Sequence, residues 1–271
     1  MKVATILPQN HLHLIQKDTY HMCLANLLYA PGMEAYTEFY EEIGERGDTY
    51  LIMDNGVIEG DPRPIRELIA KAVSVGADEF ILPDVYKDKE ATLKAIAEAY
   101  EEAKSCGIKM MAVPQGTTID EWVLCAAAII CKYPEVSVIG VPKNLVEIGG
   151  RDGRIIALSR LMEACPMIKH KEIHLLGCWQ TPLEILMVDK ACRSGIIPMV
   201  RGVDSAIAFV YARAGMAADS DDRPNKNPID FKGTEVNVEL LKQNIKIWKK
   251  AADSRTNGEK ISDAVCKKLF S

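Results

Sequence analysis

A chain of 271 residues, 48% apolar and 26% charged, fits one large domain or two small ones and can bury a core without covalent staples. It holds no run near the ~18 apolar residues of a membrane span, and its net charge of −5 gives no overall attraction to nucleic acid, though a local basic face is compatible with it. The segment MKVATILPQN turns polar after Pro8, unlike a secretory leader, and the eight cysteines form no C-x-x-C or C-x-C pair, so a cytoplasmic protein with reduced, buried thiols is expected.

The elements alternate strand and helix. VATILP (3–8) reads as the first strand. His11 and His13 follow and would share one strand face, but no cysteine or acid stands at a zinc spacing, and no metal is expected. YHMCLAN (20–26) reads as a strand that would also serve as a helix, and TYLIMDNG (49–56) as a strand. Four helix–strand alternations come next: PIRELIAKAVSVGA (64–77) and EFILPD (79–84), EATLKAIAEAYEEAKSCG (90–107) and KMMAVPQG (109–116), IDEWVLCAAAIICKYP (119–134) and VSVIGVP (136–142), GRIIALSRLMEACP (153–166) and EIHLLGC (172–178). The helix PLEILMVDKACRSG (182–195) leads to the strand IIPMVRGV (196–203), and a helix-like apolar stretch follows Asp204. After Gly215 the composition changes. ADSDDRPNKNPIDFKG (218–233) reads as a polar loop, VNVELLKQNIKIWKKAAD (236–253) as an amphipathic helix and ISDAVCKKLF as a short last helix.

Eight strands alternating with helices predict an α/β fold of the TIM type, a (β/α)8 barrel over residues 1–215, with 216–271 packed on it as a polar loop and C-terminal helices. A doubly wound open sheet is the alternative. Neither G-x-G-x-x-G nor a P-loop is present, so dinucleotides and nucleoside triphosphates are poor candidates and no cofactor is expected.

In a barrel the C-terminal strand ends and their loops build the site. Those positions carry Asn26, Asp54 with Asn55, Asp84, Gln115 with Gly116, Gly140, Gly177, and Asp204 with Arg201. One aspartate there could be a helix N-cap; three converging on one mouth point to chemistry. The set lacks a Ser–His–Asp or Cys–His arrangement, and its only strand-end lysine, Lys143, sits beyond a proline. A carboxylate can attack a sugar carbon, a second can act as acid and base, and an aspartate with a glutamine amide can read a purine edge while glycines let a flat ring approach. Arg151, Arg154, Arg201 and Arg213 are weak candidates for phosphate contacts, solvated helix faces being the plainer reading.

The order of these motifs resembles the tRNA-guanine transglycosylases. LIMDNGVIEG, FILPDV, AVPQG, VIGVP and IHLLGCWQTPLEIL are similar to successive strand-end segments of that family, and GVDSAIAFV falls where its nucleophile stands. The resemblance covers roughly residues 20 to 215 and implies that Asp204 attacks C1′ of a guanosine-type sugar, with Asp54 as acid and base. It further implies that Asp84 and Gln115 grip the purine edge, with Asn26, Gly116, Gly140 and Gly177 beside the ring. The incoming base would be a 7-deazaguanine such as preQ0. The family's C-x-C-x-x-C zinc run and later histidine are missing. The short relatives that modify DNA, known from phages and bacterial genomic islands, are therefore the better match, and the expected polymer is DNA in preference to tRNA. A phage-encoded chain would work in the host cytoplasm. The target base would be flipped out or single-stranded. A non-catalytic relative and a small-molecule barrel enzyme are the other readings.

Overall fold

The structure is a computed structural model and describes residues 1–178, 182–220, 222–225 and 227–253. Its strands are β1 (Lys2–Thr5), β2 (Tyr20–Cys23), β3 (Tyr50–Met53), β4 (Glu79–Ile81), β5 (Lys109–Ala112), β6 (Val136–Pro142), β7 (Glu172–Leu176) and β8 (Val200–Ser205). Its helices are α1 (Ala25–Leu28), α2 (Glu34–Glu45), α3 (Ile65–Ser74), α4 (Lys89–Ser105), α5 (Ile119–Lys132), α6 (Asn144–Gly149), α7 (Gly153–Ala164), α8 (Leu183–Arg193), α9 (Ile207–Arg213) and α10 (Val238–Ala252).

All ladders are parallel and run in the order β1-β8-β7-β6-β5-β4-β3-β2, and β1 packs against β2 to complete the ring. This is a (β/α)8 barrel. Polar side chains start the helices where the sequence offers them: Asp88 accepts from Ala91 N–H, Thr118 from Glu121 N–H and Asn237 from Leu240 N–H. The helices then bury one stripe against the ring, as with Trp122, Ala126 and Ile129 of α5.

Three expectations need correction, and one helix is additional. His11 and His13 lie in a 3-10 turn, Gln9–Leu14, and share no strand face; His11 Nε2 meets the Thr234 carbonyl at 3.0 Å. The 20–26 segment is a strand that ends at Cys23 and a separate short helix, so Asn26 stands on α1. The last strand begins at Val200, because Pro198 has no N–H for the ladder and Ile196 and Met199 face solvent. α2 has no counterpart in the sequence reading; it buries Tyr36, Tyr40 and Ile43, and the Tyr40 hydroxyl donates to the Met22 carbonyl at 3.1 Å. The short helix expected over 261–270 lies outside the described residues.

Residues 216–253 are built into the barrel. α10 packs on α8, α9 and β1 through Leu241, Ile245 and Trp248. The buried Asn244 amide donates to the carbonyls of Ala208 and Met216 and accepts from Ala218 N–H. No helix among the described residues is long and apolar enough to cross a membrane.

Candidate active site

A cavity of about 750 Å³ opens at the C-terminal ends of the strands. Asp54, Asp84, Gln115, Gly177 and Asp204 all line it, together with Asn55, Glu59, Lys143 and Asn144.

Asp204 occupies the next-to-last position of β8, beside Ala4 of β1, and is 6% exposed. Its Oδ2 accepts from Gly177 N–H at 3.2 Å, and its Oδ1 lies 3.1 Å from His174 Nε2. Gly177 has φ +65°, a conformation that suits glycine, and its N–H faces the carboxylate just past β7.

Asp84 follows β4 and is 8% exposed. Its Oδ1 accepts from Asn55 Nδ2 at 2.7 Å and its Oδ2 from Gln115 Nε2 at 2.6 Å. Burial pushes the carboxyl up to about 6, against the pull of those two donors. The amide of Gln115 is oriented from its other end, where Oε1 accepts from Lys87 N–H at 3.1 Å. Lys87 holds φ 60° there, an uncommon conformation for a residue with a side chain.

Asp54 follows β3 and accepts from Gly56 N–H at 3.2 Å. Desolvation in the mouth pushes its carboxyl up to about 8, with the charges of Glu59 and then Asp204 adding to the rise. Glu59 is raised in turn, mainly by desolvation. The mouth therefore holds one carboxyl that keeps a proton near neutral pH, Asp54, in the same cavity as the buried Asp204.

Other expected residues lie elsewhere. Asn26 stands beside this wall on α1 without lining the cavity. Gly116 lets the chain pass close to α5, where a Cβ would come within 2.7 Å of Trp122 N. Gly140 lies beneath the floor: a Cβ there would meet Leu176, Met111 and Val113 at 2.9 to 3.0 Å.

Two of the four arginines, Arg154 and Arg201, are corrections. Arg154 is 1% exposed and internal; it pairs with Glu184 at 3.0 Å and donates to the carbonyls of Pro142, Leu176 and Gly177. Arg201 is the extra residue of a bulge in β8, between the Ile173–Val200 and His174–Gly202 pairs. Its guanidinium reaches Glu79, Glu172 and Tyr50, the first residues of β4, β7 and β3, at the far end of the barrel from Asp204. Arg213 donates to the carbonyls of Asn227 and Pro228. Arg151 alone is exposed.

Several site groups escaped the sequence reading. His174 and Tyr20 lie under Asp204, with the Tyr20 hydroxyl 2.8 Å from His174 Nδ1. Asn227, Pro228, Ile229 and Phe231, from the polar loop after α9, form a wall of the cavity, pinned by the Gln9 N–H to the Phe231 carbonyl at 3.0 Å and by Arg213. The alternation of inward residues in β7, 174 and 176, was available as a signal for His174. Nothing in the loop's composition marks it as a wall.

Among the described residues no group of three or more His, Cys, Asp or Glu is placed to hold a metal ion. The arrangement can hold a flat, hydrogen-bonding ring at Asp84 and Gln115, present a carboxylate to an electrophilic carbon and supply a proton from Asp54. No protein-family model matches this chain and no curated protein matches it significantly, so the functional reading rests on this geometry and on the motif resemblance.

Proposed function

We propose that the chain is a base-exchange transglycosylase that replaces guanine in a nucleic acid, DNA in preference to tRNA, with a free 7-deazaguanine such as preQ0. The observation that carries this reading is the meeting of Asp204, Asp54 and the Asp84–Gln115 pair in one cavity. A purine presents a row of N–H donors and acceptors to Asp84, whose oxygens each keep a lone pair beside their internal bonds, and to Gln115, whose Nε2 keeps a second N–H.

In this mechanism a carboxylate oxygen of Asp204 forms a bond to C1′ as the C1′–N9 bond breaks. Guanine leaves with the electron pair and takes the proton from Asp54. The 7-deazaguanine enters, gives its N9 proton back to Asp54 and bonds to C1′, and the C1′–O electron pair returns to Asp204. Nothing is oxidised or reduced, and both acids end as they began. Lys143, at the rim, and the exposed Arg151 are available for phosphates.

The test is uptake of labelled guanine or preQ0 into single-stranded DNA, duplex DNA and tRNA. Asp204→Ala is expected to abolish uptake and Asp204→Asn nearly so. Uptake that survives Asp204→Ala removes the proposed nucleophile, and uptake into tRNA alone changes the polymer.

A further inference from the structure

Beneath the proposed nucleophile lies a buried polar pair that the mechanism above does not use. His174, on β7, is fully buried and Tyr20, on β2, is 4% exposed. The Tyr20 hydroxyl stands 2.8 Å from His174 Nδ1, and His174 Nε2 stands 3.1 Å from Asp204 Oδ1. Resting on the transglycosylase reading, we infer that His174 is a positioning residue for Asp204, held by Tyr20 in the tautomer that carries its proton on Nε2.

The tautomer follows from the partners. An ionised carboxylate can only accept, so the nitrogen facing Asp204 must donate. In the neutral imidazole the other nitrogen then accepts, and the Tyr20 hydroxyl is the donor placed to serve it. Burial holds the Tyr20 phenol far above its ordinary range, so it remains an O–H donor. The opposite tautomer would set a nitrogen lone pair against a carboxylate oxygen. Together with Gly177 N–H on Oδ2, each oxygen of Asp204 has one fixed donor.

The chain makes room for this pair with a glycine. Gly202 lies two residues before Asp204 in β8, and a Cβ there would come within 2.8 Å of the Tyr20 ring and hydroxyl. Tyr20 is backed on the other side by Tyr50, stacked at 5.8 Å between ring centres.

The consequence differs between the two half-reactions. A donor to the free carboxylate stabilises it relative to the glycosyl ester, so it eases the return of the electron pair to Asp204 when the second base bonds to C1′. Without the donor, the balance moves toward the ester.

The experiment uses the full chain, a guanine-containing single-stranded DNA oligonucleotide and labelled preQ0. Turnover is read as label uptake, and the ester as the fraction of protein migrating with DNA on a denaturing gel after an acid quench. Tyr20→Phe, nearly isosteric, and His174→Phe are each expected to lower turnover by about 10- to 100-fold, the effect of losing a hydrogen bond to a charged group. At the same time the fraction trapped with DNA should rise above that of the unsubstituted chain. His174→Gln, whose amide can donate to Asp204, should restore most of the turnover. The inference is overturned if turnover and adduct stay unchanged in Tyr20→Phe and His174→Phe, or if both fall together as for a partly unfolded protein. Absence of uptake and adduct with the unsubstituted chain on DNA and on tRNA would instead sink base exchange itself, and with it this role for His174.

Discussion

Asp54 carries opposite consequences for stability and for activity. A buried carboxyl pushed up to about 8 binds its proton more tightly in the folded chain than in the unfolded one, where its value is about 3.9. Between those two values the folded chain holds more protons, so each rise in pH costs stability. Asparagine, neutral throughout, avoids that cost. Asp54→Asn should therefore raise the melting temperature near pH 8, with the advantage shrinking as pH falls toward 4, while base exchange is lost. For the unsubstituted chain, the leaving guanine needs the protonated form, so kcat/KM should fall as pH rises through about 8. A rate that climbs through that range would remove Asp54 from the acid role. Asp84 works in the other direction. Its ionised form accepts purine N–H groups more strongly, and protonation turns one oxygen into a donor, so the competitive affinity of free guanine, read by inhibition, should weaken as pH falls through about 6.

At the level of elements, the strap across β6 and β7 decides whether the nucleophile meets its N–H partner. Arg154 leaves α7, turns inward and gathers the carbonyls of Pro142, Leu176 and Gly177 around one guanidinium, opposite Glu184. Arg154→Leu removes three carbonyl bonds and the counter-charge of a buried carboxylate, and should cost about 3–5 kcal/mol by urea unfolding. Replacing Arg154 and Glu184 together by methionine should recover most of that stability. Exchange should stay slow in the double variant, because the Gly177 carbonyl then loses the guanidinium that holds it beside Asp204. Recovery of both would reduce Arg154 to a core ion pair.

This strap also shows where the sequence could and could not be read. The helices over 64–77, 90–107, 119–134, 153–166 and 182–195 stand within a few residues of those bounds, because a 3.6-residue period and end signals are local. Asp54, Asp84, Gln115 and Asp204 were legible for the same reason: each ends or follows an apolar run. Arg154 and Arg201 were not, since an arginine on a helix or strand looks the same whether it faces water or a ring of carbonyls. β2 is buried along its whole length, so nothing in YHMC set the inward Tyr20 apart from His21, whereas the alternation in β7 did mark His174. α2 was missed because its stripe is built of Tyr36, Tyr40 and Ile43 among acids.

Over the whole molecule, charge decides how a polymer could be held. The net charge is −5, and Arg154, Arg201 and Arg213 are spent on internal carboxylates and carbonyls. Among the described residues that line the cavity, Lys143 is the one basic side chain, against Asp54, Glu59, Asp84, Glu147 and Asp204. Binding of a single strand should then lean on the gripped base more than on phosphates. Each phosphate neutralised on a single strand adds about −0.7 to the slope of log K against log salt. With Lys143 and Arg151 as the contacts, the slope should be about −1 to −2. Lys143→Gln should bring it closer to zero by about 0.7, with little change in the affinity for free guanine. Fluorescence anisotropy of a guanine-containing oligonucleotide between ~50 and ~200 mM salt reads both numbers. A slope of about −5 or steeper would mean that the polymer lies along a basic surface away from this mouth, and that the cavity meets only the tip of a larger interface.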